Sequence, residues 1–279
     1  MRDIYLANIA TFETYLRAEK QLSSLSIESY LSDLVPLKDI RSLEQFLDDL
    51  STRGYQKTTL HRKLTSLNTF LTYLYLEKKI ETHPKQLLKL PRAKQRLPKA
   101  LSQDEITQFF TAKRPTKTPV RDQLIFHLLY GCGLRISELC ALPYQHMNLT
   151  QHILKVTGKG GHQRIVPIHE TIATLFTEYM KTRPESQHDT LFLNNRQAPL
   201  HRQSVYTLVK AQLAAANLNM RYSPHSFRHS FATHILENGG DLRRIQALLG
   251  HRTISTTQIY TQLDRRSLKD AYHNAHPSA

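Results

Sequence analysis

The sequence predicts a mainly α-helical protein of two lobes: an amino-terminal helical bundle and a larger, mainly helical domain with one small antiparallel β-sheet. Three observations predict it. Apolar residues recur at helical spacing through most of the 279 residues. A basic, proline-containing stretch near residue 90 interrupts that pattern. A single segment, 152–168, changes to short runs around the glycine-rich turn Gly158-Lys159-Gly160-Gly161, which reads as two strands.

The first lobe spans 1–90. Ile4, Ala7, Phe12, Tyr15 and Leu16 fit a helix over 3–20, and Ile27, Tyr30, Leu31 and Leu34 fit one over 26–34 with Ser26 as its cap, before Pro36 interrupts. Leu43, Phe46, Leu47 and Leu50 mark a third near 42–52, which Gly54 can end. A fourth, about 57–80, carries the stripe Leu60, Leu64, Leu67, Leu71 and Leu74. Its other face offers Lys57, Thr58, His61, Arg62 and Thr65, a solvated face or one that lies in a nucleic-acid groove. The lobe reads as a bundle of four or five helices.

From Lys85 to Lys99 there are six basic residues, no acid, and two prolines, Pro91 and Pro98. Prolines end helices and stiffen the chain, so 91–98 is read as a basic linker between the lobes. The second lobe, 99–279, opens on the capping box Ser102–Glu105. A helix fits 119–130, with Pro119 in its first turn and Leu124, Ile125, Leu128 and Leu129 facing inward; Gly131 and Gly133 break it, and SELCAL begins another. After the hairpin come a helix at 170–181, a short strand at 191–193 (LFL), and a helix at 202–216. Further helices fit 226–237, ended by Gly239, and 241–249, ended by Gly250, then one from about 255 and a final one in the tail.

Composition narrows the function. At 40% hydrophobic residues the chain can build a core, and no apolar run approaches the roughly 18 residues of a membrane span. The start, MRDIYLANIATFETYL, alternates polar and apolar residues unlike a signal peptide, so the cytoplasm is the expected compartment and no membrane partner is expected. Cys132 and Cys140 read as small buried hydrophobes. The formal net charge of +15 points to a polyanion as partner. It is uneven: 13 Lys and Arg against 11 acids in 1–90, a net +2, leave 25 against 12, or +13, for 91–279.

The residues with most chemistry lie between His225 and Tyr260, where His225, Arg228, His251 and Tyr260 supply two imidazoles, a guanidinium and a phenol. Attack on a phosphodiester raises the charge on its equatorial oxygens. Without metal, that charge must be met by fixed cations, and a nucleophile and a proton donor are also needed. Arg228, three residues after His225, suits the first task, because an arginine fork binds two phosphate oxygens. Each residue alone signals little, since most tyrosines pack in cores and a lysine in a glycine turn is usually a solvated hairpin tip. Lys159 is not in a Walker loop, because Ile153 stands where its first glycine belongs and Gly160 where its Ser/Thr belongs. His225 and His229 are spaced for zinc, but no HExxH follows and Arg228 beside them would repel a cation, so neither metal nor cofactor is expected.

Taken together, the segments GLRISEL, GKG, HSFRHSFATH and LLGHRTISTTQIY resemble the tyrosine recombinases, the phage-integrase family. That family's order of Arg, Lys, His-x-x-Arg, His/Trp and Tyr falls on Arg135, Lys159, His225, Arg228, His251 and Tyr260, with Glu138 at the place of a supporting acid. Over nearly the full length the chain is most similar to the Xer branch, and its ending is more like XerC than XerD.

The resemblance implies a core-binding, SAM-like amino-terminal bundle and a catalytic domain that clamp duplex DNA. It implies attack by Tyr260 to give a 3′-phosphotyrosyl link, with Arg135 and Arg228 on the nonbridging oxygens and Lys159 protonating the leaving 5′-oxygen. His225 would share in proton transfer and His251 would bond the phosphate. A Holliday junction, a tetramer on two dif-like sites, a paralogous XerD-type partner, control by an FtsK-type translocase and a role in chromosome dimer resolution follow from the same resemblance. Leu263, Leu268, Ala271 and Tyr272 in the tail would dock on a neighbour or on their own domain. The alternatives are a mobile-element integrase, a type IB topoisomerase-like enzyme and, from another class, a non-catalytic DNA-binding protein.

Overall fold

The computed structural model describes residues 1–20, 22–40, 42–84, 100–158 and 161–250, without the side chains of 242–244. The expected linker, Lys159, His251, Tyr260 and the helices expected beyond 250 lie outside the described residues. The chain divides into two compact units, Met1–Arg96 and Leu97–Ala279.

The first unit holds α1 (Arg2–Ala18), α2 (Ser24–Leu34), a 3-10 turn (Val35–Lys38), α3 (Leu43–Thr52) and α4 (Lys57–Leu76). Ser23, not Ser26, caps α2: its hydroxyl accepts from the Ser26 N–H at 3.4 Å. The expected α4 ends four residues early. Lys78 turns left-handed at φ 55° while the Lys79 N–H reaches back to the Leu74 carbonyl at 2.8 Å, a Schellman closure on a non-glycine residue. The four helices bury Phe12, Leu16, Leu34, Phe46, Leu67, Phe70 and Leu74. Phe12 and Phe70 meet edge to face at 5.0 Å between ring centres.

The second unit begins with α5 (Gln103–Thr111), α6 (Pro119–Gly131) and α7 (Ile136–Cys140). The Ser102 capping box closes both ways: Ser102 N–H to Glu105 at 2.8 Å and Glu105 N–H to Ser102 Oγ at 3.1 Å. A three-stranded antiparallel sheet follows, β1 (Met147–Asn148), β2 (Ile153–Thr157) and β3 (Gln163–Pro167), in that spatial order. Two of its strands were expected; β1 is two residues long, too short for any alternation to show. Then come α8 (Glu170–Thr182), α9 (Arg202–Ala215), α10 (Pro224–Glu237) and α11 (Leu242–Leu249). None of the described helices is long and apolar enough to cross a membrane.

The segment 191–193 is not a strand. It makes a single isolated bridge, Leu193 with Pro199, and Thr190 just before it makes another with Pro143. Three buried apolar residues looked like a strand, but Arg183 takes the His188, Thr190 and Leu191 carbonyls and the Leu191 N–H goes to Leu142. Within the run Arg183 takes the Leu191 carbonyl and Arg121 that of Leu193, while Phe192 accepts the Leu200 N–H, so no continuous ladder forms.

α6 is the centre of this unit, packed mainly against α8 and α10 and also against α7 and α9, with Leu124, Ile125, Leu128 and Leu129 inside as expected. Phe126 of this helix is buried, as are Phe109, Phe227 and Phe231 from neighbouring helices. Cys132 is buried and Cys140 half-buried; both are free thiols, and burial pushes them up to about 12 and about 11.

Candidate functional site: guanidiniums gathered on one carboxylate

The turn after α6 sets the site. Gly133 has φ 56°, and a Cβ there would lie 2.7 Å from Phe231 Cδ1, so the chain can double back beneath α10 only with glycine at this position. Two residues later Arg135 precedes the short helix α7. Its N–H donates to Glu138 Oε2 and its guanidinium to Glu138 Oε1, both at 2.8 Å. The i,i+3 spacing of Arg135 and Glu138 thus closes an ion pair within one turn.

Arg228 arrives from α10. It is buried, and it donates to the Gly133 and Leu249 carbonyls at 2.5 Å each, with Glu138 Oε2 3.8 Å away. Its guanidinium thereby joins the turn before Arg135 to the end of α11. His225 stands one turn earlier on α10 and is exposed. The first turn is preceded by Ser223, whose N–H donates to Ser226 Oγ at 3.1 Å, and Ser230 Oγ accepts the Leu101 N–H at 2.7 Å. Spacing alone placed His225 and Arg228 on one side of the helix; the fold gives them opposite exposures.

Sequence reasoning missed Arg164. It lies on β3 opposite Val156 of β2, at a position facing the core, and only 6% of it is exposed. Both its terminal nitrogens donate to Glu138, each at 2.8 Å, and Nε donates to the Leu248 carbonyl at 2.7 Å. An arginine in register with inward-facing Val166 was the available signal, since a charge there must find a buried partner.

Among the described residues, three guanidiniums around one carboxylate leave two positive charges uncompensated in this cluster. Burial alone would push the Glu138 carboxyl up; hydrogen bonds and charge from Arg164, and hydrogen bonds from Arg135, outweigh it and hold it down at about 2. Arg228 is pushed down to about 9, by burial first and then by Arg135 and Arg164, while Glu138 pulls the other way. Its charged form is therefore one that a bound anion would favour. Arg135, with 38% of its side chain exposed, is the member of the set open to such an anion. A phosphate between Arg135 and Arg228 would meet donors that the fold has already oriented. The described residues bring Arg135 and Arg228 to one carboxylate; Lys159, His251 and Tyr260 are outside them.

Residues 99–266 match the phage integrase family. The tyrosine recombinase XerC of Syntrophus aciditrophicus is 34% identical, with 97% of each chain covered. The tyrosine recombinase XerD of Oceanobacillus iheyensis is 35% identical over 97% of this chain and 98% of its own. Relatives of both names thus match at the same level, and similarity does not separate the two branches. Among solved structures, a XerH site-specific recombinase in a post-cleavage complex with palindromic difH shares the fold. Its TM-score is 0.70 at 23% identity, with 88% of this chain and 79% of that one covered. The chain belongs to the phage integrase family and is an Xer-type tyrosine recombinase, a site-specific DNA recombinase.

Proposed function

We propose that the protein cuts and rejoins duplex DNA through a 3′-phosphotyrosyl intermediate and a Holliday junction, with Arg135, Lys159, His225, Arg228, His251 and Tyr260 as its catalytic set. The observation that carries the reading is the gathering of Arg135, Arg164 and Arg228 on Glu138, with Arg135 still open to solvent. Tyr260 attacks phosphorus, a new O–P bond forms and the 5′-oxygen leaves, taking a proton from Lys159. Arg135 and Arg228 hold the nonbridging oxygens as their charge grows in the transition state. His225 exchanges the tyrosine proton, and His251 bonds the phosphate. The phosphotyrosyl bond keeps the energy of the broken phosphodiester, so religation needs no nucleotide and no metal.

The biological reading rests on the Xer relatives. The substrate is a dif-like core site, gripped by the 1–90 bundle and the 99–279 catalytic domain across the 91–98 linker. Four protomers act on two sites, with a second, XerD-type recombinase as partner and an FtsK-type translocase as control. The outcome is resolution of chromosome dimers before cell division, in the cytoplasm. The basic balance of 91–279 supports DNA as the ligand, because each phosphate neutralised releases counterions.

A suicide duplex carrying a core site tests the chemistry. Wild type should accumulate a covalent protein–DNA species, and Tyr260→Phe should form none; a persisting adduct in that variant would move the nucleophile elsewhere. Lys159→Ala should slow cleavage of a normal 5′-oxygen and recover when that oxygen is replaced by sulfur. Efficient relaxation of supercoils without a defined site or strand exchange would instead indicate topoisomerase-like chemistry.

A further inference from the structure

We propose that Arg164 is a positioning residue for cleavage, acting through Glu138 to hold the guanidiniums of Arg135 and Arg228 in the geometry that grips the scissile phosphate. The inference rests on the catalytic reading above and goes beyond it, since Arg164 itself need touch no DNA.

Arg164 is the one group in the described site that ties four segments together. Through Glu138 it reaches the turn bearing Arg135, and through the Leu248 carbonyl it reaches the end of α11. The next residue, Leu249, supplies the carbonyl that Arg228 uses. Beyond it Gly250, at φ 67°, passes so near that a Cβ would lie 3.2 Å from Arg164 Cδ, and residue 251 follows directly. From its own strand Arg164 is paired with β2, which ends at Thr157 just before Gly158 and Lys159; the Gly158 N–H donates to the His162 carbonyl at 2.7 Å.

The chemistry of the pair explains why a buried arginine is used here. Glu138 must be ionised to orient Arg135, yet at 6% exposure it lacks solvent to support its charge. Arg164 supplies a parallel two-point bond, which a lysine cannot reproduce. Had the pair served stability alone, similar packing by apolar residues would have done as well. Placing the carboxylate where two further guanidiniums converge gives it a directional task. An error of about 1 Å in such a clamp costs on the order of 100-fold in rate.

The test compares single-turnover cleavage of two suicide substrates, one with a normal phosphodiester and one with a methylphosphonate at the scissile position. The methylphosphonate replaces a charged nonbridging oxygen with a methyl group, so it asks less of the arginine clamp. Arg135→Ala, a direct clamp variant, serves as reference. Arg164→Lys should cleave the phosphodiester about 10- to 100-fold more slowly than wild type, and most of that loss should vanish on the methylphosphonate, as for Arg135→Ala. Equal loss on both substrates would overturn the positioning role and leave Arg164 a purely structural residue. The double variant Arg164→Met/Glu138→Gln removes the paired charges of Arg164 and Glu138 together and is assayed beside the lysine variant, with all rates taken per folded molecule. It too should show the substrate-dependent loss, and an equal loss would count against the proposal. Failure of wild type to form any adduct would overturn the catalytic reading and this inference with it.

Discussion

Two buried carboxylates in the second unit, Asp122 and Glu138, look alike and do different work. Asp122 on α6 is 2% exposed and accepts from Arg114 at 2.6 Å and Arg121 at 3.1 Å, with Thr116 and Thr118 adding hydroxyl donors. Its arginines use other nitrogens on Gln212 and on the Leu193 carbonyl, and their side chains are only 18% and 15% exposed. That knot is closed. At Glu138 no hydroxyl intervenes among the described residues, a third guanidinium crowds in, and Arg135 stays 38% exposed. A buried acid with two arginines is thus a structural device by default, and surplus positive charge with an open edge marks the site.

Loss of the clamp should separate the two most widely. Arg228→Ala should slow single-turnover cleavage by about 100- to 1,000-fold while the protein stays folded. Asp122→Asn should leave the rate per folded molecule unchanged and appear in urea unfolding as a loss of about 3 kcal/mol. If Asp122→Asn slowed cleavage like Arg228→Ala at equal folded fraction, the distinction between knot and site would collapse.

Acid sharpens the same comparison. Glu138 is held at about 2 against an ordinary 4.5, so its ionised form stabilises the fold by about 3 kcal/mol above pH 4.5. A lowered folded pKa means this contribution is lost as pH falls from 4.5 through 2. Urea unfolding between pH 7 and pH 3 should show wild type losing its advantage over Glu138→Gln across the acid end of that range. A gap that stays constant down to pH 3 would contradict the ionised, arginine-held carboxylate.

Two smaller effects test the supports. Gly133→Ala places a Cβ 2.7 Å from Phe231 at φ 56° and should cost about 1–3 kcal/mol in thermal unfolding. It should also slow cleavage, since the Gly133 carbonyl holds Arg228. Ser102→Ala, at the capping box far along the chain from the cluster, should cost about 1 kcal/mol and leave the cleavage rate per folded molecule alone.

Much of the fold was legible in periodicity and punctuation. The α4 stripe, the Ser102 capping box, Pro119 in the first turn of α6 and the 152–168 hairpin all follow local rules, in which a residue's structural meaning depends on neighbours within about four positions. The errors have a shared cause. The 191–193 run read as a strand because three apolar residues in a row carry no period, and Arg183, eight residues before Leu191, took the Leu191 carbonyl while Arg121 took that of Leu193. The overlong α4 reflects Lys78 adopting a left-handed turn for which glycine would have been the signal.

The site divides in the same way. Arg135 with Glu138 and His225 with Arg228 are pairs three residues apart, so helical geometry relates them before any tertiary fold is known. The meaning of Lys159, His251 and Tyr260 rests on sequence resemblance.

What the sequence determined by itself was therefore the helical architecture, the hairpin, the basic balance and the order of the chemical groups, because each is written in local spacing or in composition. Only the tertiary structure decided that Arg228 is buried while His225 is exposed, and that Arg164 completes the cluster. Those facts depend on contacts between residues 26 to 95 positions apart: Glu138 with Arg164, Gly133 with Arg228, and Arg164 with Leu248. Charge burial is a property of the packed whole, since a guanidinium's surroundings are set by whichever distant carbonyls and carboxylates the fold brings against it.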